Sequence, residues 1–322
     1  MRNYKACVPL IRKRLKFMSI ALQTFLKHKA VNGWRLFWLI SIPMSIIMVI
    51  AMTGVDLSTG PGVSAMIGFS VRWAVPFIFL VVAISSLQIL FPGPIPMWLL
   101  RNRKYIGLCF AVAMAWQGIF IFTMSLFFRD YYYEDIYFLR DELEGSVGYI
   151  FLVAMVVTSF QFARKHLSSK QWKIIHKSGL YFLWAYPFSV YWWNLYYYEN
   201  PQPIDYVFYL MGFLAFALRI AAWRKQRVQK ARKEAPGYSV PLVPRMLGSA
   251  SVAFGLVVAA TGLQWRVPVS EFLTGPEWSA RLELWLPYWP FEPFLSLFII
   301  GFGAMLLSMQ PKQAAAPQES RS

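Results

Sequence analysis

Long apolar runs separated by short charged segments set the pattern of this chain. Eight such runs lie at about 36–53, 71–91, 106–128, 146–163, 179–196, 206–222, 247–264 and 294–308. Several contain 17 or more consecutive residues without Asp, Glu, Lys or Arg, the length of helix that crosses an apolar slab about 30 Å thick. A closed membrane β-barrel would show short segments of alternating polarity instead. The pattern predicts an all-α integral membrane protein with about eight spans.

The flanks carry their own signals. Ile11, Leu15, Met18, Leu22 and Phe25 recur at spacings of three and four, one face of a helix. Arg12, Lys13, Arg14, Lys16, Lys27 and Lys29 surround them, so residues 1–35 read as a basic amphipathic arm on the inner leaflet. Residues 36–222 hold six spans, and the basic run 223–246 is a helical extension or linker. Residues 247–309 hold two more spans, separated by a Trp-, Pro- and Leu-rich segment expected at the outer interface. The tail 310–322 is small and polar, a composition that favours disorder. No cleavable leader is expected, because the first apolar run follows some thirty residues of basic sequence.

Charge fixes the expected orientation. The chain has 322 residues and a net charge of +17, yet only 15% of its residues are charged, against about a quarter in a soluble domain. Lys and Arg collect in alternate connections, at 101–104, 164–177 and 223–234, while the Tyr-rich segment 129–145 is acidic. This is the positive-inside distribution. It places both termini in the cytoplasm and gives the basic segments anionic lipids as partners, not nucleic acid. The localisation expected is a bacterial inner membrane. Cys7 and Cys109 have no CxxC spacing and suggest no disulfide framework.

Chemistry-bearing residues are sparse. Arg72, Asp205, Arg219 and Glu292 fall at span edges, where long side chains reach the interface, so a charge-relay transporter is disfavoured. Gln88, Gln117, Thr123, Ser125, Thr158 and Gln161 lie in or near the apolar zone and suit hydrogen bonds between helices. There is no glycine-rich phosphate loop and no flavin or nicotinamide motif. A hydrolase set of Ser, His and Asp or of paired carboxylates is not evident. The Trp and Tyr residues near the outer face suit an aromatic belt; a pocket for an apolar carrier substrate, lipid or quinone is the alternative.

Three imidazoles remain as candidate haem-iron ligands. His28 lies in the basic arm and His166 in a basic connection, while His176 opens the fifth apolar run. Around it stand Thr158, Ser159, Gln161, Arg164, Lys165, Trp172, Tyr181, Pro187 and Trp192. Together with the stretch 101–117, RNRKYIGLCFAVAMAWQ, these residues resemble the ferric reductase-like transmembrane family. The closest likeness is to the haem-bearing membrane subunit of the bacterial methionine sulfoxide reductase system. The resemblance covers about residues 65–222 and leaves the last two spans outside it.

The resemblance implies a six-helix bundle carrying b-type haem. It further implies electron transfer supplied by a separate flavoprotein or the quinone pool. His176 matches a ligand position of the family. The family places a second histidine ten residues after the glycine at 107, where this chain has Gln117, and a third thirteen residues after His176, where it has Ser189. Thirteen helical residues rise about 20 Å, so Gln117 and Ser189 are expected at similar depth, near enough to hydrogen-bond to one another, where an outer haem has been lost. His176 could hold one inner haem, its opposite ligand being water, nothing or a sulfur, with Met114 the only third-span thioether to name. Two functions follow: a reduced redox subunit with at most one haem b, or a haem-free membrane scaffold or assembly subunit. Both work with partner proteins.

Overall fold

The computed structural model describes residues 21–274 and 292–310, whose regular structure is all helical, without strands. The N-terminal arm falls outside the described residues as far as residue 20, as do most of the segment between the last two spans and the tail from residue 311. The main helices are α1 (Gly33–Met52), α2 (Gly60–Leu90), α3 (Pro94–Phe127), α4 (Leu139–Val157), α5 (Ser169–Tyr196), α6 (Pro203–Glu234), α7 (Leu242–Ala260), α8 (Gly262–Thr274) and α9 (Glu292–Leu306). Among the described residues, α1, α2, α3, α6 and α7 are long and apolar enough to cross a membrane, with mean hydropathy between 1.6 and 2.2. Large apolar side chains such as Trp38, Ile42, Ile46, Ile50, Ile150, Val153, Leu210, Leu214, Phe254 and Val257 face outward. That is the surface an apolar solvent requires, since lipid tails remove the drive to hide them.

The apolar runs mark the helices but not their ends. α2 begins at Gly60 and α3 at Pro94, well before the apolar runs at 71 and 106. The Thr59 hydroxyl caps α2 by accepting from the Gly62 N–H at 3.3 Å, with Pro61 in the first turn, where no N–H is needed. The chain breaks at residues 91–93 and Pro94 starts α3, so Arg101, Arg103 and Lys104 ride on a helix. α5 starts at a capping box in which the Ser168 hydroxyl accepts from Gln171 N–H and the Gln171 side chain accepts from Ser168 N–H. The basic run after Ala222 is the continuation of α6 to Glu234. The seventh apolar run is broken at Thr261, between α7 and α8.

α2 is the central helix. It packs along α3 on one side and α6 on the other, with α5 against it; α4 packs on α5, and α1 on α3. α7 and α9 form a close pair, and α9 leans on α6 and α5. The core is aromatic. Trp184 stacks on Phe216 at 4.4 Å and Phe188 at 5.0 Å, and Phe188 stacks on Tyr209 at 5.6 Å. Their polar atoms are satisfied across helices: Trp184 Nε1 donates to the Gly212 carbonyl at 3.0 Å, and the Tyr196 and Tyr209 hydroxyls both donate to the Ala259 carbonyl. Cys109 is buried and free, accepting from the Ser41 hydroxyl at 3.6 Å.

A polar knot anchors α1 to α3. The Asn102 side chain is fully buried; its Oδ1 accepts from the Gly33 N–H at 2.9 Å and its Nδ2 donates to Asn32 Oδ1 at 2.9 Å. Arg101 donates to Asn32 Oδ1 and to the Leu26 carbonyl. Gly33 has a φ of +64°, a left-handed conformation that glycine adopts without a side-chain penalty.

Candidate functional site

The hairpin between α4 and α5 builds the site. α4 ends at Thr158, a short helical turn covers Gln161–Arg164, and α5 returns from Ser168. Trp172 and His176 are four residues apart on α5 and therefore share a face; their rings lie 4.2 Å apart. The Arg164 guanidinium lies over the Trp172 ring at 5.4 Å and is held by the Leu167 carbonyl at 2.6 Å. Both aromatic side chains reach back to Thr158. Trp172 Nε1 donates to its carbonyl at 3.1 Å, and His176 Nε2 lies 3.0 Å from its hydroxyl. That hydroxyl is 2.6 Å from the Ala154 carbonyl. A hydroxyl has one proton to give; spent on Ala154, it makes Thr158 the acceptor and His176 Nε2 the donor.

His176 lines a cavity of about 530 Å³ bounded by α2, α3, α4, α5 and α6. Its apolar walls include Ile78, Val81, Leu152, Leu180 and Leu183. Its cations are Arg103 and Lys104 from α3, Arg164, Lys173 and Lys177 from the hairpin, and Arg219 from α6. Among the described residues no carboxylate lines it. Arg219 is fixed by donating to the Tyr181 hydroxyl and the Val82 carbonyl, both at 3.1 Å.

A second cavity, about 610 Å³, lies beyond the first. Ile78, Phe110 and Leu183 line both, forming the wall between them. Gln117 and Met114 line the second cavity, not the one that holds His176. Gln117 Oε1 accepts from the Tyr149 hydroxyl at 3.0 Å, and the same hydroxyl lies 3.1 Å from the Met114 carbonyl. Ser189 is buried and donates to the Ala185 carbonyl of its own helix at 3.0 Å. Gln117 and Ser189 thus take separate partners rather than each other. Acidic and tyrosine residues, among them Tyr132, Tyr137, Asp141 and Glu142, stand at the mouth of this second cavity, and the Tyr132 hydroxyl donates to Glu142.

Of the candidate residues, then, His176 stands alone in one cavity, and Met114 and Gln117 share the other. His28 is used locally, its Nδ1 accepting from the Ala30 N–H. The described residues bring no three His, Cys, Asp or Glu side chains together, so a protein-held metal ion has no donor set among them. Sequence reasoning assigned Arg103 to topology and Arg219 to an interface; both turn into the His176 cavity. It missed Tyr149, for which a signal existed: a phenol within an apolar helix needs a partner for its hydroxyl. Compared with family models, curated proteins and solved structures, the chain has no match, so the ferric reductase-like likeness rests on the residues named above.

Proposed function

We propose that this chain is a haem-free membrane subunit of ferric reductase-like shape, working in a larger assembly and not as an electron carrier. One observation carries this reading: the side chains at the three family ligand positions are each committed to a protein partner. His176 Nε2 is turned to Thr158, Gln117 to Tyr149, and Ser189 to Ala185. Met114 lies behind the Ile78, Phe110 and Leu183 wall. The residues around His176 supply one imidazole and, across from it, cations that are no partner for iron. They do not fit a six-coordinate haem.

The accompanying topology is eight spans with both termini cytoplasmic, in a bacterial inner membrane. Support comes from the basic residues of α3 and the hairpin, which line one cavity together with Arg219 of α6 and so share one end of the bundle, as the positive-inside distribution requires.

A second reading keeps one b-type haem in the inner cavity. In its favour, the cavity joins an imidazole to apolar walls and to cations that would meet haem carboxylates. The pyridine haemochromogen spectrum of the purified protein separates the two. The haem-free reading expects none at meaningful stoichiometry and co-purification with other membrane proteins. A stable monomer bearing stoichiometric haem, lost in His176→Ala, overturns it.

A further inference from the structure

We propose that the His176 cavity is a binding site for a phosphate-bearing anion with an apolar body, an anionic phospholipid drawn in from the leaflet being the occupant that fits. The inference rests on the haem-free reading, since a haem would fill the same space.

Cations at the cytoplasmic edge of a membrane protein are common. These differ in where they point. Six of them line one cavity, and they come from α3, the hairpin, α5 and α6. A row along a single helix could not enclose a ligand in this way. No carboxylate lines the cavity, and no ion pair joins any of the six among the described residues. Four are held in place by neutral groups. Arg219 bonds a phenol and a backbone carbonyl, and Arg164 bonds a carbonyl and covers Trp172. Lys104 lies over the Phe160 ring at 4.8 Å, and Lys177 lies 6.0 Å from the Tyr181 ring. Such contacts orient a cation without cancelling its charge.

Arg103 is the informative member. It is half-buried, yet its guanidinium makes no hydrogen bond or ion pair among the described residues. A guanidinium carries five donors in a planar fork matched to phosphate oxygens. Clustered like charges facing a low-dielectric wall repel one another, and an anion between them reverses the sign of that interaction. The rest of the lining is largely aliphatic, with Ile78, Val81, Leu152, Leu180 and Leu183. A head that is anionic and a body that is apolar match these two kinds of surface.

The test uses the full-length protein in bilayers of phosphatidylcholine and phosphatidylglycerol in equal parts, with bound lipid read by native mass spectrometry. Phosphatidylglycerol is expected to be retained over phosphatidylcholine. Arg103→Gln should weaken that retention at least about tenfold, and Arg103→Lys should restore part of it. Lys230→Gln removes the same charge outside the cavity and should change retention less than about twofold. Inorganic phosphate displacing the lipid confirms the phosphate as the group recognised. Inorganic phosphate bound in an Arg103-dependent way with no lipid retained would overturn the lipid as occupant and assign a free phosphate compound. Equal retention by Arg103→Gln and Lys230→Gln would overturn the site altogether. Absorption at the haem Soret band, taken on the same sample, tells the two readings apart: haem present defeats the haem-free function, whereas a haem-free protein without the anion defeats this inference alone.

Discussion

His176 Nε2 and the Thr158 hydroxyl, 3.0 Å apart, close the α4–α5 hairpin with a hydrogen bond whose direction is set by a third group, the Ala154 carbonyl. The imidazole that most resembles a cofactor ligand is also a structural clasp. Its neighbour Trp172 doubles the clasp by bonding the Thr158 carbonyl.

Thr158→Val keeps the shape of the side chain and removes the acceptor. The half-buried His176 N–H then loses its partner, which costs about 1–2 kcal/mol. The expected result is a lower thermal unfolding midpoint in detergent. Thr123→Val is the control, because that hydroxyl is exposed and bonds only the Ile119 carbonyl of its own helix; its stability should stay within about 0.5 kcal/mol of the parent. Equal effects would show that the clasp contributes nothing beyond helix propensity.

The α7–α9 pair depends on small residues at closest approach. A Cβ on Gly303 would lie 2.7 Å from the Gly248 carbonyl oxygen and 2.9 Å from the Val252 nitrogen, both backbone atoms that cannot swing away. Gly303→Ala should therefore force the helices apart, at the cost of about 1–3 kcal/mol usual for overpacking. Gly301, two residues earlier, has nothing within 4 Å of its added Cβ. Gly301→Ala should be neutral or slightly stabilising, because alanine is the better helix former. Unfolding midpoints of the two variants check the contrast, and a neutral Gly303→Ala would refute the packing.

Gly212 makes the same point inside the six-helix part. An added Cβ would lie 2.8 Å from the Phe79 ring and 2.9 Å from the Phe188 ring, and its carbonyl accepts from Trp184. Gly212→Ala is expected to destabilise by about 1–3 kcal/mol. It should also alter the near-ultraviolet signal of the Trp184, Phe188 and Phe216 stack. A variant with an unchanged aromatic spectrum and midpoint would contradict this account.

How much could be read beforehand varies by feature. The positions of the apolar runs gave the helices, since an uninterrupted run that long has few other homes. They could not give the ends. α3 carries Arg101, Arg103 and Lys104 on its opening turns, and α5 opens with Lys170 and Lys173; hydropathy marks where lipid stops, not where the helix stops. Trp172 and His176 were legible as a pair because they sit one turn apart. Arg103 and Arg219 were not legible as their neighbours, because nothing in the linear pattern shows that α6 packs directly on α5 or that α3 lines the same cavity. The separation of Met114 from His176 was equally hidden: the wall between them takes Ile78 from α2, Phe110 from α3 and Leu183 from α5.

Asp205 supplies the sharpest test of how α5 is joined to α6. It was read as a residue at a span edge, free to reach water. Instead it is 8% exposed, and both oxygens are used. Oδ1 accepts from Asn194 Nδ2 at 3.0 Å near the end of α5, and Oδ2 accepts from the Gln202 N–H at 2.8 Å at the start of α6. One carboxylate thus fixes the connection between 197 and 202. Asp205→Ala leaves both donors without an acceptor, and charge-assisted bonds of this kind are worth about 1.5–3 kcal/mol each. A fall in the unfolding midpoint is expected, together with faster proteolysis in that connection. Asp205→Asn should lie between parent and alanine variant, since its single carbonyl oxygen can serve one donor while its amide faces the other. If Asp205→Asn and Asp205→Ala are equally mild, the carboxylate is a solvated edge residue after all, and α6 is held by its apolar face alone.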